Sequence, residues 1–329
     1  MAFVTKPPLE AAEYIYTESK KDQNLHVEII NEKITEVAKM ILGALADGSI
    51  ADIDYKANPL HPDSSTLTKD HFMNWILFVD ALNFSFWPDE GEQYYIEYKG
   101  ERHHGYQAFC AAVKREFEDN GTPIYDAEWM KNVTEAELGR ILKSDSGHDI
   151  PMLKERVNIL HETGDALIRQ CGTYIFGCLR KAENKAQNFL RIILTSDIYY
   201  GCKEMYNYAN FTDIETITMF ADYRVPQVLA FLGVFKYSEH LMKKLQAKEL
   251  IPHGDLLEVQ IRGCSIWACE LIKREIVRLR NEGYSGMDWS DKRQIYAVDV
   301  DVWLWQYRRE HADAVEEFVP HHRTRSIFY

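Results

Sequence analysis

Asp222 stands in TMFADYRVPQVLAFLG (Thr218 to Gly233), where an aromatic, a carboxylate and a guanidinium alternate at Phe220, Asp222 and Arg224 just ahead of Pro226. Pro226 disfavours helical backbone at Val225, so Asp222 and Arg224 fall in a bend where a helix begins. Val228, Leu229 and Leu232 then supply that helix's apolar positions. The helix dipole favours negative charge at such a place. A fixed carboxylate beside an aromatic suits an oxocarbenium-like transition state, in which a sugar ring develops positive charge. Spacing alone slightly favours a plainer role, in which Asp222 caps the helix and pairs with Arg224.

Two further segments carry chemistry of the same kind. In LNFSFWPD (Leu82 to Asp89), Phe84, Phe86 and Trp87 crowd into a loop-like stretch stopped by Pro88. Aromatics there can stack on a planar base, and Asn83 can hydrogen-bond a base edge or a ribose hydroxyl. Aromatic clusters are more often packing, and spacing favours that by about two to one. In AVDVDVWLWQYRREH (Ala297 to His311), Asp299, Asp301, Trp303 and Trp305 alternate like a strand, ahead of Arg308, Arg309 and His311. Carboxylates beside indoles can hold the N–H donors of a purine-like base while a ring stacks on it. A helix or strand edge with partly buried tryptophans fits that stretch equally well. Glu258 and Arg262 lie four apart on one helix face, which reads as an ion pair.

No grouping has metal-ligand spacing. His103 with His104, and His321 with His322, are adjacent pairs that cannot share a helical face, and no carboxylate or cysteine pattern completes a site. His240 and His253 read as surface residues. The motifs G-x-S-x-G, G-x-G-x-x-G and the P-loop are absent, so no cofactor is expected.

The elements that must position these residues read mostly as helix. From His26 to Leu45 the residues Val27, Ile30, Ile34, Val37, Ala38, Ile41 and Leu42 recur at helical spacing. Thr134 with Glu137, and Thr212 with Glu215, form capping-box patterns. Pro151 suits a first helical turn before Met152, Leu153, Val157 and Leu160. Glu258 to Arg280 reads as a long core helix, and Tyr94 to Tyr98, ended by Gly100, as a strand. Without linkers or repeats the expectation is one mainly α-helical domain over residues 1–329 with a small β-hairpin, and a soft lobe boundary near 120–150.

Composition narrows the partners. The chain has 329 residues and a formal charge of -13, from 51 acidic against 38 basic side chains. That field repels a nucleic-acid backbone, while a local basic cluster can still hold a small anion. No run of about 18 apolar residues suggests a membrane span, and the N-terminus lacks signal-peptide character. A cytoplasmic protein is therefore expected. Its six cysteines, Cys110, Cys171, Cys178, Cys202, Cys264 and Cys269, read as reduced thiols. The glycosylation patterns at Asn132 and Asn210 then carry no weight.

With these segments in view, the sequence resembles the queuosine salvage family, the queuosine 5′-phosphate N-glycosylase/hydrolases. The resemblance runs through LNFSFWPD, YKGERHHGYQAFCAAV, SDSGHDIPMLKERVNIL, TMFADYRVPQVLAFLG, KYSEHL, EVQIRGCSIWACELI, DVWLW and HHRTRSIFY; FADYRVPQ together with NFSFW is specific to that family. It implies a mainly helical fold akin to the helix-hairpin-helix DNA glycosylases. It also implies metal-independent hydrolysis of queuosine 5′-phosphate to queuine and ribose 5-phosphate, the queuine serving tRNA modification. Asp222 would be the catalytic aspartate, and Phe220 and Asp301 would belong to the base pocket. Asn83, Phe84, Phe86, Trp87, Arg224, Trp305, Glu258 and Arg262 complete the substrate-binding candidates. The sequence departs from the family in two places. Gln260 stands where EVEIR is usual, and a basic block usually found after Leu194-Thr195-Ser196 is missing before Asp197. Basic residues there would be natural partners of a 5′-phosphate, so a competing expectation is a non-catalytic nucleotide-binding or scaffold protein.

Overall fold

A computed structural model describes residues 7–21, 24–48, 59–63, 65–194, 211–284 and 294–329. The Ser196–Asp197 junction, Cys202 and Asn210 lie outside the described residues. Mainly helical, the chain divides into two compact units. The first comprises Met1–Asp52, Glu215–Arg325 and Tyr329; the second comprises Ile53–Ile214 and Ser326–Phe328. Residues 120–150 lie inside the second.

Element by element, the first unit begins with α1 (Pro8–Lys21), β1 (Val27–Ile29) and α2 (Asn31–Ala46). The second holds α3 (Lys69–Ala81), the hairpin β2 (Tyr95–Tyr98) and β3 (Glu101–His104), then α4 (Gly105–Asn120), α5 (Ala127–Asn132) and α6 (Glu135–Ile141). It continues with α7 (Leu153–Ala166), a π-turn at Leu167–Cys171, α8 (Ile175–Lys181) and α9 (Ala186–Leu194). The chain then returns to the first unit with α10 (Val225–Phe231), β4 (Phe235–Tyr237), α11 (Glu239–Gln246), α12 (Leu256–Asn281), α13 (Ala297–Glu310) and α14 (Ala312–Phe318).

In the first unit the long helix α12 is the axis, and α1, α2, α10, α13 and β1 pack against it. Its start is capped by Asp255, whose carboxylate accepts Leu257 N–H at 2.8 Å, as an N-cap should. Gly263 lets α1 come close: a Cβ there would stand 2.9 Å from Ile15 Cδ1. Ile261, Cys264, Ala268, Ile272 and Ile276 carry the buried stripe. Gln260, at the departure from EVEIR, is buried and structural. Its Oε1 accepts His26 N–H at 2.8 Å and its Nε2 donates to Asn24 O at 2.6 Å. A carboxylate could accept the first bond and not donate the second, so the amide suits this place.

The second unit is built on α3, buried on every face from Phe72 to Ala81, mostly apolar as such a helix must be, with buried Asn74 bonded to Tyr125 O, Thr173 O and Ile175 N–H. Its two-residue turn at Lys99 and Gly100, with φ of 51° and 83°, pairs Tyr95 with His104 and Tyr98 with Glu101. Such positive φ values match the right-handed twist of the strands. The expected strand is thus present.

Five local expectations are corrected. Val27–Ile29 is a strand, paired antiparallel with Phe235–Tyr237, so the helix expected from His26 begins only at Asn31; β-branched Val27 and Ile29 fit a short strand with alternate burial. Pro151 lies ahead of α7, whose first residue follows Met152 at φ 58°. Thr212 and Glu215 start only a single 3-10 turn. Asp299 to Trp305 is helical: Asp299 accepts Tyr296 N–H at 2.7 Å, a capping arrangement whose acidic first turn imitates strand alternation. Finally, Cys171 and Cys178 form a disulfide, brought together by the turn between the π-segment and α8, while Cys110, Cys264 and Cys269 are buried thiols.

Helix α7 crosses α5 with almost no clearance. A Cβ on Gly164 would stand 2.5 Å from both Ala127 O and Lys131 N, backbone atoms that cannot step aside. Gly164→Ala is expected to lower unfolding stability by about 1–3 kcal/mol, read by denaturant titration; an unchanged midpoint would contradict this crossing.

Candidate active site

Asp222 occupies the turn that opens α10. Its Oδ1 accepts two backbone N–H groups, Arg224 at 2.9 Å and Val225 at 2.8 Å. The N-cap of α10 is Arg224, without a side-chain cap bond, so Asp222 holds the turn ahead of the helix and is not its cap; this commits only one oxygen, and Oδ2 accepts no hydrogen bond among the described residues. Asp222 is half-buried, as is Phe220. The expected pairing with Arg224 is not made. Arg224 Nη1 instead donates to Glu316 Oε2 at 3.0 Å and Gln227 Oε1 at 3.1 Å, and meets His321 Nδ1 at 3.3 Å.

Three neighbouring segments fix the turn. From α13, Asp301 Oδ2 accepts Phe220 N–H at 2.9 Å. From α12, Arg262 Nε donates to Ala221 O at 3.1 Å. From α10 itself, Gln227 Nε2 donates to Glu316 Oε2 at 2.9 Å and to Val319 O at 2.7 Å, tying α14 and the following strand-like segment to the same place. Buried Cys269 on α12 is pushed up by burial and then by the charges of Asp301 and Asp222, so both carboxylates are within electrostatic reach of one thiol.

The expected ion pair between Glu258 and Arg262 is present at 3.3 Å. Glu258 is 1% exposed and also accepts Tyr329 Oη at 2.9 Å and Gly254 N–H at 3.0 Å. Trp305 is half-buried on α13, with the Arg309 guanidinium 4.9 Å from its ring. Asn83, Phe84, Phe86 and Trp87 belong to the second unit. There Phe84, Phe86 and Trp87 are buried and Asn83 is half-buried. Fully buried Arg156 holds their loop, donating to Leu82 O at 2.5 Å, Phe84 O at 2.6 Å and Pro151 O at 2.9 Å, with its guanidinium 4.2 Å from the Phe84 ring. The packing expectation for this cluster is thereby met.

Glu316, Gln227, His321 and Tyr329 were not among the sequence candidates. Gln227 stands at the end of FADYRVPQ, while Glu316, His321 and Tyr329 are far from Asp222 along the chain, the last two within the closing HHRTRSIFY. Burial raises the Glu316 carboxyl, but hydrogen bonds from His321 and Gln227 and the Arg224 charge outweigh it and hold the group well below the usual carboxylate range. Burial, with the Arg224 charge, lowers His321 to about 4, and burial lowers His322 to about 3. Among the described residues no group of three or more His, Cys, Asp or Glu side chains is arranged to hold a metal, and no helix is long and apolar enough to cross a membrane.

The model of the queuosine salvage protein family matches residues 60–196 and 191–329, and the chain belongs to that family. A protein of Mus musculus named queuosine 5′-phosphate N-glycosylase/hydrolase is 34% identical over 350 aligned positions, covering 98% of both chains. Like-named proteins of Bos taurus and Schizosaccharomyces pombe are 33% and 31% identical, covering 98% and 84% of this chain and 98% and 87% of their own. The mouse alignment, at 350 positions, is longer than this chain of 329, and the family model matches in two stretches that overlap at 191–196.

The buried histidines set an acid limit on stability. His321, His322 and, in the second unit, His61, lowered by burial to about 4, are neutral when folded and take a proton near pH 6.5 once unfolded. The unfolded state therefore binds more protons below that pH, and stability falls as pH drops. Glu116 and Glu275, held near 2 by hydrogen bonds from Arg140 and Arg278, contribute fully above their ordinary pKa of 4.5 and do not oppose the trend. Between pH 6.5 and 4.5 each histidine adds a fall of up to about 1.4 kcal/mol per pH unit. Unfolding free energy measured across that window should slope downward, and His322→Gln should flatten it; an equal slope in the variant would contradict the assignment.

Proposed function

We propose that the chain hydrolyses the N-glycosidic bond of queuosine 5′-phosphate, releasing queuine and ribose 5-phosphate. The observation that carries this is the half-committed carboxylate of Asp222: one oxygen is locked on the N–H groups of Arg224 and Val225, and the other accepts no hydrogen bond among the described residues. The names of the full-length relatives supply the substrate.

In this reading Asp222 faces C1′ of the ribose and stabilises the cation that develops as the bond to the base lengthens, while orienting the water that replaces the base. A 7-deazapurine has no N7 to protonate, so the leaving group gains little from acid catalysis and the burden falls on the sugar cation. Phe220 and Trp305 supply ring faces for the base, and Asp301 its polar edge. Because Asp301 already holds Phe220 N–H, it would couple base recognition to the placement of the Asp222 turn. Asn83, Phe84, Phe86 and Trp87 remain proposed base-binding candidates, on a loop of the second unit that Arg156 holds. Arg224, Glu258 and Arg262 serve the site by holding its backbone. No cofactor is needed. A kinship of fold with the helix-hairpin-helix DNA glycosylases, and action in the cytoplasm, are part of this proposal. Binding without cleavage, as in a nucleotide sensor, is not favoured, since the relatives carry hydrolase names over nearly their whole length.

Losing one preorganised electrostatic partner costs about 2.7–4 kcal/mol of barrier. Asp222→Asn should therefore slow queuine release from queuosine 5′-phosphate by roughly two to three decades, followed by mass spectrometry, while the asparagine oxygen still accepts the Arg224 and Val225 N–H groups and leaves the melting temperature near that of the wild type. Equal rates in the two proteins would remove Asp222 from the chemistry.

A further inference from the structure

The peptide unit joining Ala221 to Asp222 is pinned at both ends. Its carbonyl accepts Arg262 Nε at 3.1 Å, and its N–H donates to Phe220 O at 2.9 Å. The orientation of that peptide sets the direction in which the Asp222 side chain leaves the backbone. Arg262 thus controls the aim of the carboxylate without touching it.

A long, flexible side chain must itself be held to do this, and Arg262 is held from two directions by one residue. The Tyr329 ring lies 4.3 Å from the guanidinium, and the Tyr329 hydroxyl donates to Glu258 Oε1 at 2.9 Å, the same oxygen that meets Arg262 Nη1 at 3.3 Å. Gly254 N–H anchors the other Glu258 oxygen at 3.0 Å. Tyr329 and Glu258 are both 1% exposed, so neither is placed to meet a substrate from solvent. Their link to the Asp222 turn runs through Arg262. The His322 ring packs 5.6 Å from that of Tyr329 and limits its movement.

We propose that Tyr329 is a positioning residue for Asp222, acting through Glu258, Arg262 and the Ala221 carbonyl. The inference rests on the role given to Asp222 above. It separates these three residues from the substrate-binding set, since their effect falls on the aim of the carboxylate and not on affinity.

The test uses the full chain with Tyr329→Phe, which keeps the ring and removes the hydroxyl, and Arg262→Lys, which keeps the charge and removes the planar Nε–H. Queuine release gives kcat and KM, and amide hydrogen exchange follows residues 220–225. A misaimed group costs up to about a hundredfold in rate. Both variants should lower kcat by between about threefold and a hundredfold, leave KM within about twofold, and speed exchange at Asp222 to Val225 while α12 keeps its protection. An unchanged kcat with a lowered melting temperature would show a purely structural tyrosine and overturn the proposal. A raised KM at constant kcat would make it a substrate contact and overturn it equally. If Tyr329→Phe does not fold, Arg262→Lys decides by the same criteria. If the wild type releases no queuine, the functional reading fails on its own, and exchange alone decides: faster exchange at 220–225 upholds the relay, and unchanged exchange overturns it.

Discussion

A carboxylate that is to stabilise a passing cation must point in one direction before the cation forms, and a short side chain on a bend cannot do that unaided. In this protein two backbone N–H groups, from Arg224 and Val225, fix one oxygen of Asp222. Everything around the site follows from keeping those donors in place. Pro226 starts α10 immediately after them, and Asp301, Arg262 and Glu316 hold the residues on either side. Removing a carboxylate from water is costly unless it is hydrogen-bonded, and here the bonds that hold Asp222 also aim it. Holding the turn through one oxygen is therefore compatible with the catalytic role proposed for Asp222.

The anchors come from long helices packed in the first unit. Asp301 lies on α13 and Arg262 on α12, whose apolar faces form its core. A loop tied only to other loops would move with them; tied to packed helices it inherits their rigidity. The same logic appears in the second unit, where fully buried Arg156 binds the carbonyls of Leu82 and Phe84 and fixes a stretch that has no secondary structure of its own.

Local signals were readable and distant ones were not. The bend at FADYRVP, the cap at Thr134, the hairpin turn at Gly100 and the long helix after Asp255 all depend on residues within a few positions of each other, and each was visible in sequence. Val27–Ile29 was misread because its partner, Phe235–Tyr237, lies some two hundred residues away and helical spacing of apolar residues tolerates a strand at its edge. Asp299 and Asp301 looked like strand alternation, yet one caps α13 and the other reaches Phe220; a helix's acidic first turn does not announce its period. Cys171 and Cys178 are joined by a turn that no cysteine motif marks. For Glu316, His321 and Tyr329 the roles arise only from folding, since their partners on α10 and α12 are remote in sequence. The departure at Gln260 looked like a lost carboxylate; it is an amide that must both accept and donate.

The central claim is that the ribose carries positive charge opposite Asp222 when the bond to the base breaks. The most direct measurement is the secondary hydrogen isotope effect on kcat/KM with queuosine 5′-phosphate labelled at C1′. Rehybridisation toward a planar oxocarbenium carbon predicts a normal effect, clearly above unity. An effect of unity while queuine is being released at the catalysed rate, with bond breaking limiting, would contradict that transition state and the role assigned to Asp222 with it.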